Sequence, residues 1–303
     1  MEKLDPAIFA QQFVNEAAST IKGLPQVPHV LGIIASKDKP SLAYARSTKA
    51  KFQEIGIDYD LIRVNRLDLE NAIEEANKDP GIHGIFIYFP IFANQHDDYL
   101  RNLVDYRKDI EAGSQFWTQK LYHNDRYSGP EAPDKKAVLP CTPLAIVKML
   151  AELQVPKSAT SGTVRPERSL HGITATIFNR SEVIGRPLAV MMSNDGARIL
   201  SFDELGPLEF IEARPREITI DRQHALARSD IVITGVPSDS FNKICVQELK
   251  TNAVCINFSS TANFEEDMSS HSGIYIPRIG PMTVAMCMRN TLRLFINFHL
   301  DRT

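Results

Sequence analysis

The sequence is short of cysteine. Its four thiols, Cys141, Cys245, Cys255 and Cys287, are scattered, with no C-x-x-C pair among them. That spacing argues against a disulfide framework or a zinc site, and for reduced thiols in a cytosol-like compartment. Long apolar runs are missing too, and no window reaches the length of a transmembrane helix. The start, Met1-Glu2-Lys3-Leu4-Asp5, lacks the basic segment and apolar stretch of a secretory signal. Positive charge is not in excess. The formal net charge of -3 offers no field to attract nucleic acid or an anionic membrane. Repeats and low-complexity tracts are absent as well. What is present is a globular composition, 43% hydrophobic and 23% charged over 303 residues, enough for two domains with separate cores.

Read along the chain, apolar periodicity predicts a helix over 5–21, with Phe9, Phe13, Ala17 and Ile21 at four-residue steps. A buried strand follows over 30–35, then a helix over 42–55 with Ser41 as N-cap and Gly56 at its end. A strand over 59–64, a helix over 67–76 and a third buried strand over 82–90 complete a β-α-β-α-β rhythm. Such a rhythm implies a parallel, doubly wound sheet whose ligands collect beyond the strands' carboxyl ends. The polar segment 115–136 reads as a linker or excursion, and Leu139-Pro140-Cys141-Thr142-Pro143 starts a helix that runs to about 153. A second series places strands at 174–178, 198–202, 230–234 and 254–258, with helices at 185–193 and 223–228 and a helical turn at 246–250. A long helix over 282–298 comes last. The fold class is therefore α/β, with two mainly parallel sheets flanked by helices, the second Rossmann-like.

The second series carries the stretch Phe178-Asn179-Arg180-Ser181-Glu182-Val183-Ile184-Gly185-Arg186-Pro187. A strand, a polar turn, a Gly and a Pro in the first helical turn form a βα turn that offers backbone N–H groups to a phosphate. Glycines are missing from it: Asn179 and Ser181 stand where the first two of G-x-G-x-x-G belong, and Gly185 falls one residue late.

Four further motifs, in order along the chain, resemble the methylenetetrahydrofolate dehydrogenase/cyclohydrolase family. They are Ser41-Leu42-Ala43-Tyr44 leading to Glu54-Ile55-Gly56-Ile57, then Gly84-Ile85-Phe86-Ile87-Tyr88-Phe89-Pro90-Ile91, then Pro140-Cys141-Thr142-Pro143, and Gly280-Pro281-Met282-Thr283-Val284-Ala285-Met286. Arg180-Ser181, Val183, Gly185 and Pro187 fit the family's G-R-S-x-x-V-G-x-P. The resemblance implies a folate-binding catalytic domain over 1–145 plus 284–303, an NAD-binding Rossmann-like domain over 146–283, and a folate cleft between them. It also implies a cytoplasmic homodimer joined through the nucleotide domain, a role in one-carbon metabolism and purine biosynthesis, and no metal centre.

Departures from the family pattern bear on activity. Bifunctional members carry a Lys four residues after the helix Tyr, and it serves the cyclohydrolase step. Here Thr48 stands four residues after Tyr44, and Lys49 is rotated about 100° from that face. The family's Gln on the third strand is Tyr88, and the second Asp of K-D-V-D-G is Glu111. Oxidation of 5,10-methylenetetrahydrofolate yields an amidinium cation stabilised by two nitrogens, so the step needs positioning and negative potential more than a base. Hydrolysis of that cation must move protons and needs a placed acid/base. The expectation is a monofunctional dehydrogenase. Its alternatives are a bifunctional enzyme with a substitute acid/base and a catalytically silent folate- or nucleotide-binding regulator.

Carried over by the resemblance, Tyr44 and Glu111 are the candidate catalytic residues. Thr48, Tyr88, Pro90, Ile91 and Pro281 are candidates for the folate. Thr142, Asn179, Arg180, Ser181, Asp203, Gly235, Val236, Pro237 and Thr283 are candidates for the cofactor. Asp203-Glu204 ends the second nucleotide-domain strand, Asp203 falling 24 residues after Asn179. A carboxylate there accepts from a ribose 2′-OH and repels a 2′-phosphate, so NAD is the expected cofactor, with Arg180 the counter-argument. Without the family motif Tyr44 reads as a core aromatic, and Asp203 and Glu204 also read as helix caps. The stretch 203–221 matches no pattern.

Overall fold

A computed structural model describes residues 1–155, 169–268 and 270–300. It divides into two compact units, each described by itself.

One unit comprises Gln11–Cys141 and Val284–Thr303. Strands β2 (His29–Ile34), β3 (Asp58–Arg63) and β4 (Gly84–Ile87) form a parallel sheet in the order β3-β2-β4. β2 is central and, beyond His29, apolar and buried, because both its faces are covered. Helix α2 (Lys39–Glu54) connects β2 to β3, and α3 (Leu69–Lys78), preceded by a 3-10 turn over Arg66–Asp68, connects β3 to β4. Leu31, Ile33, Ile85 and Ile87 of the sheet pack with Leu69, Ile73 and Leu100 in a closed core.

Three expectations are corrected here. The N-cap of α2 is Asp38, whose carboxylate accepts from the Ser41 N–H at 2.9 Å, with Pro40 in the first turn. The third strand is only Gly84–Ile87, and the chain leaves it at Tyr88, before a cis Phe89–Pro90 bond. The segment read as a linker folds in part as α5 (Gln115–Tyr122), which anchors the fully buried Trp117, its indole N–H donating to the Tyr106 carbonyl at 2.8 Å. Helix α4 (Gln95–Leu103) precedes it. Lys108 is also buried, and its ammonium donates to the carbonyls of Ala76, Asn77 and Asp79 at 2.7–2.9 Å. It thereby closes the C-terminus of α3, where backbone carbonyls lack helical partners.

The other unit comprises Met1–Ala10 and Thr142–Thr283. Its eight strands run in the order β1-β11-β10-β9-β5-β6-β7-β8. These are β1 (Glu2–Lys3), β5 (Thr174–Phe178), β6 (Arg198–Phe202), β7 (Leu208–Ile211), β8 (Arg214–Glu217), β9 (Ile231–Thr234), β10 (Val254–Asn257) and β11 (Ile274–Ile276). From β1 to β6 neighbours are parallel; β7 and β8 add an antiparallel hairpin beyond β6. That hairpin is the unplaced stretch 203–221. The domain boundaries expected from sequence shift accordingly. The first ten residues belong to this unit because β1 pairs with β11, and the division near 145 falls at Cys141/Thr142. α7 (Gly185–Asn194) connects β5 to β6, while β9 lies on the other side of β5, so the strand order reverses between β5 and β9. In open α/β sheets the crevice at such a reversal is where ligands bind.

Candidate functional site

In the eight-stranded unit, Asn179 follows β5 and Gly235 follows β9, on either side of the reversal. The Asn179 side-chain amide donates to the Gly235 carbonyl at 2.5 Å, and the Gly235 N–H donates to the Phe178 carbonyl at 3.0 Å. Asn179 has φ +95°, a conformation that glycine usually supplies and Asn tolerates. Gly185 is indispensable sterically: a Cβ there would lie 1.7 Å from the Asn179 carbonyl oxygen. A Cβ at Gly235 would lie 1.8 Å from the Phe258 ring. Close backbone approach is thus kept although the fingerprint's first two glycines are gone. Ser181 donates its N–H to the Asn179 side-chain oxygen at 2.8 Å, and the N–H groups of Ile184 and Gly185, where α7 begins, point at the Ser181 hydroxyl.

Arg180 and Asp203 are paired. The guanidinium, 8% exposed, bonds the Asp203 carboxylate and the carbonyls of Ser201 (2.9 Å) and Gly206 (3.0 Å). Asp203 in turn accepts from the Leu205 N–H at 2.8 Å, so neither charge stands alone. The pair borders a cavity of about 490 Å3 whose other walls include Glu182, Arg186 and the β7–β8 hairpin. Val236 exchanges two hydrogen bonds with the buried side chain of Asn263, at 2.9 and 3.0 Å, and Pro237 is exposed. Asn263 was not singled out from the sequence, where nothing distinguishes it from any loop Asn. The hydroxyls of Thr142 and Thr283 meet at 3.3 Å. Pro281 stands in the first turn of α9 (Gly280–Leu294).

In the three-stranded unit, Tyr44 and Tyr88 meet edge to face, with ring centroids 6.0 Å apart. The Tyr88 hydroxyl hydrogen-bonds that of Tyr59 at 2.7 Å. Tyr59 was not anticipated. Its hydroxyl lies across β2 because Gly32 offers no side chain; a Cβ there would stand 2.4 Å from that oxygen. Thr48 is buried, donates to the Tyr44 carbonyl at 3.0 Å, and its hydroxyl faces both Tyr44 and Tyr88. The space is therefore filled by hydroxyls, with no ammonium among the side chains named here. Pro90 is exposed, whereas the Ile91 side chain packs into the core, its N–H bonded to Asp97 at 3.1 Å.

Glu111 completes the group. The turn that carries it is tied on three sides. Asp109 accepts from the Ser114 N–H at 2.8 Å, the Cys141 N–H donates to the Glu111 carbonyl at 3.3 Å, and Asn290 donates to the Ile110 and Leu139 carbonyls at 3.0 and 2.9 Å. Although Glu111 keeps part of its surface open, protein crowds its carboxyl. Burial, reinforced by the charge of Asp109, pushes the carboxyl up to about 8. Burial likewise holds the Tyr44 and Tyr88 hydroxyls neutral well above the usual tyrosine range. Cys141 and Cys255 are buried thiols pushed upward by desolvation, so neither is an activated nucleophile. His83 is a core group: its Nδ1 accepts from the His29 N–H at 2.9 Å, and burial lowers it to about 4.

A parallel sheet with a crevice at its strand reversal, lined by a close-packed βα turn, is a Rossmann-like nucleotide fold; the second unit adds a pocket of tyrosines and one carboxyl near neutrality. The chain belongs to the tetrahydrofolate dehydrogenase/cyclohydrolase family. The family described as "Tetrahydrofolate dehydrogenase/cyclohydrolase, catalytic domain" matches residues 4–111. A Dictyostelium discoideum protein named "Methylenetetrahydrofolate dehydrogenase [NAD(+)]" is 39% identical, covering 97% of this chain and 94% of its own. The solved NAD-dependent 5,10-methylenetetrahydrofolate dehydrogenase of Saccharomyces cerevisiae superposes with a TM-score of 0.91 at 34% identity, covering 100% of this chain and 99% of its own. A relative named "Bifunctional protein FolD", from Christiangramia forsetii, is 25% identical over 93% of this chain.

Proposed function

We propose that this protein oxidises 5,10-methylenetetrahydrofolate to 5,10-methenyltetrahydrofolate with NAD, and does not hydrolyse the product. The observation that carries the reading is the contrast in similarity: 39% identity to a relative named for NAD-dependent dehydrogenation, against 25% to one named bifunctional. The side chains agree with it. A hydride leaves a carbon held between two nitrogens, and the cation left behind is stabilised by their lone pairs. Glu111, in its ionised form, adds negative potential beside that charge. Tyr44 and Tyr88, kept neutral, present apolar ring surface and hydroxyls that orient the folate. Thr48 cannot trade protons at neutral pH, which removes the group hydrolysis would need.

NAD, when bound, supplies the hydride acceptor. The residues present fit it: Gly185 and Gly235 leave the backbone bare at the crevice, and Asp203 ends the strand where a ribose 2′-OH is met. Arg180 is occupied by Asp203, so a 2′-phosphate would meet a compensated pair rather than a free guanidinium. This answers the counter-argument that Arg180 raised. One observation favours a second reading: Glu111, titrating near 8, is a group able to carry protons at neutral pH, as a bifunctional enzyme would need.

One paired assay tests both. NAD and NADP reduction with methylenetetrahydrofolate is followed beside the decay of methenyltetrahydrofolate. We expect NAD to be preferred by kcat/KM and the decay to match the uncatalysed rate; clear hydrolysis would favour the second reading, and no reduction at all would refute both. The proposal extends to a cytoplasmic homodimer that supplies one-carbon units for purine biosynthesis, its assembly measurable by light scattering.

A further inference from the structure

Helix α4 reaches both chain segments that border the tyrosines and Glu111. Near its start the buried Asp97 accepts from the N–H groups of Ile91, Phe92 and Ala93 at 3.1, 2.9 and 3.0 Å, which fixes the turn that follows Tyr88. At its end Asn102 accepts from the Gln115 N–H at 2.6 Å, just beyond the turn of Glu111. Arg101 works between these two anchors. Its guanidinium stands over the Phe89 ring, 4.2 Å from the centroid. Its Cδ passes 3.5 Å from the point that a Cβ on Gly113 would occupy, so the stem crosses the Glu111 turn where glycine leaves room. The side chain is only 17% exposed, whereas its ion-pair partner Asp98, 2.7 Å away, is 61% exposed. Water therefore screens that pair more than it screens Arg101 from the protein beneath it.

Within electrostatic reach of Glu111 are Asp109 from its own turn, Arg101 from α4, Tyr44 from α2, Tyr59 from β3, Tyr88 after β4, and Cys141. Burial pushes the three hydroxyls and the thiol upward, so all four are neutral near pH 7. Among the described residues the charges that act on Glu111 are thus two. Asp109 reinforces the upward push of burial on the carboxyl, and Arg101 opposes it.

We infer that Arg101 is a positioning residue for this reaction: stacked on Phe89 and laid across Gly113, it holds a positive charge beside Glu111 that favours the carboxylate form to which the folate binds. Arg101 acts through Glu111 and not by contact with folate or cofactor. The inference rests on the proposed function, because it needs the folate beside an ionised Glu111.

The test follows kcat/KM for methylenetetrahydrofolate, with NAD, from about pH 6 to 9 in the native protein, R101M, R101K and D98N. R101M keeps the stem over Gly113 and an apolar contact on Phe89 but removes the charge. Its rising limb should lie about half a pH unit above the native one, a loss of about threefold near pH 7 that closes by about pH 9. R101K keeps the charge and should keep the native limb. D98N, at an exposed position, leaves Arg101 uncompensated and should move the limb toward lower pH. A loss in R101M and R101K that is the same at every pH, as a merely structural Arg101 would give, overturns the inference and leaves the proposed function standing. So does an unmoved D98N limb if R101M fails to fold. No NAD reduction by the native protein overturns the proposed function, and the inference with it.

Discussion

Replacing Glu111 with Gln keeps the shape of the side chain and removes its titration. In the native protein burial and Asp109 push this carboxyl up to about 8, so near pH 7 roughly one molecule in ten carries the carboxylate. If the folate binds the ionised form, its apparent affinity is reduced by that fraction, about tenfold. kcat/KM should then rise about tenfold per pH unit below 8 and level off above it. Tyr44 and Tyr88 do not intrude, because their hydroxyls are held above the ordinary tyrosine value. Asp109 is raised as well, so the measured midpoint belongs to the pair of carboxyls. In E111Q the limb should vanish and kcat/KM should be low and flat. Initial rates of NAD reduction, collected from about pH 6 to 9, decide it. A flat native profile, or a limb that survives in E111Q, would refute the reasoning. The same shift has a consequence for stability. A carboxyl whose folded pKa lies above its unfolded value favours the folded state at low pH. That contribution is lost as pH rises through the window from about 4.5 to about 8. Thermal denaturation should therefore show the native Tm falling across this window more than that of E111Q.

Other perturbations follow from the same geometry. G32A places a Cβ 2.4 Å from the Tyr59 hydroxyl. It should cost about 1–3 kcal/mol in denaturant unfolding and raise the KM for folate as the Tyr59–Tyr88 bond is lost; unchanged values would argue that Tyr59 moves freely. K108M removes the donor from three carbonyls at the end of α3. A loss of about 1–3 kcal/mol is expected, with kcat little altered, and a neutral result would contradict the capping role. D203S frees the Arg180 guanidinium and removes a carboxylate. The ratio of kcat/KM for NADP to that for NAD should rise by about tenfold or more; an unmoved ratio would mean that the pair does not set cofactor choice.

Much of the site was legible because local sequence carries it. Thr48 is buried on the α2 face below Tyr44, as the four-residue helical step required, and Gly185 packs against the Asn179 backbone as the third glycine of a phosphate turn does. Trp117 was illegible in a polar segment, since its helix is only eight residues long and buries just Trp117 and Leu121, too few positions to set a period. Ser41 was mistaken for the cap because Ser and Asp compete for that position, and only the observed bond from the Ser41 N–H to Asp38 decides between them. The β7–β8 hairpin escaped notice because Arg214–Glu217 is exposed throughout and lacks an apolar face.

By itself the sequence determined the α/β rhythm, the βα turn at Asn179–Gly185 and the absence of a Lys at position 48, because helical and strand periods, steric gaps and residue identities are local properties. Tertiary structure alone decided the partners: β1 beside β11, Tyr59 reaching Tyr88 past Gly32, and Arg180 held by Asp203. Those pairings join residues far apart in the chain. Burial, charge compensation and the raised Glu111 carboxyl arise only from what the fold brings within a few ångströms.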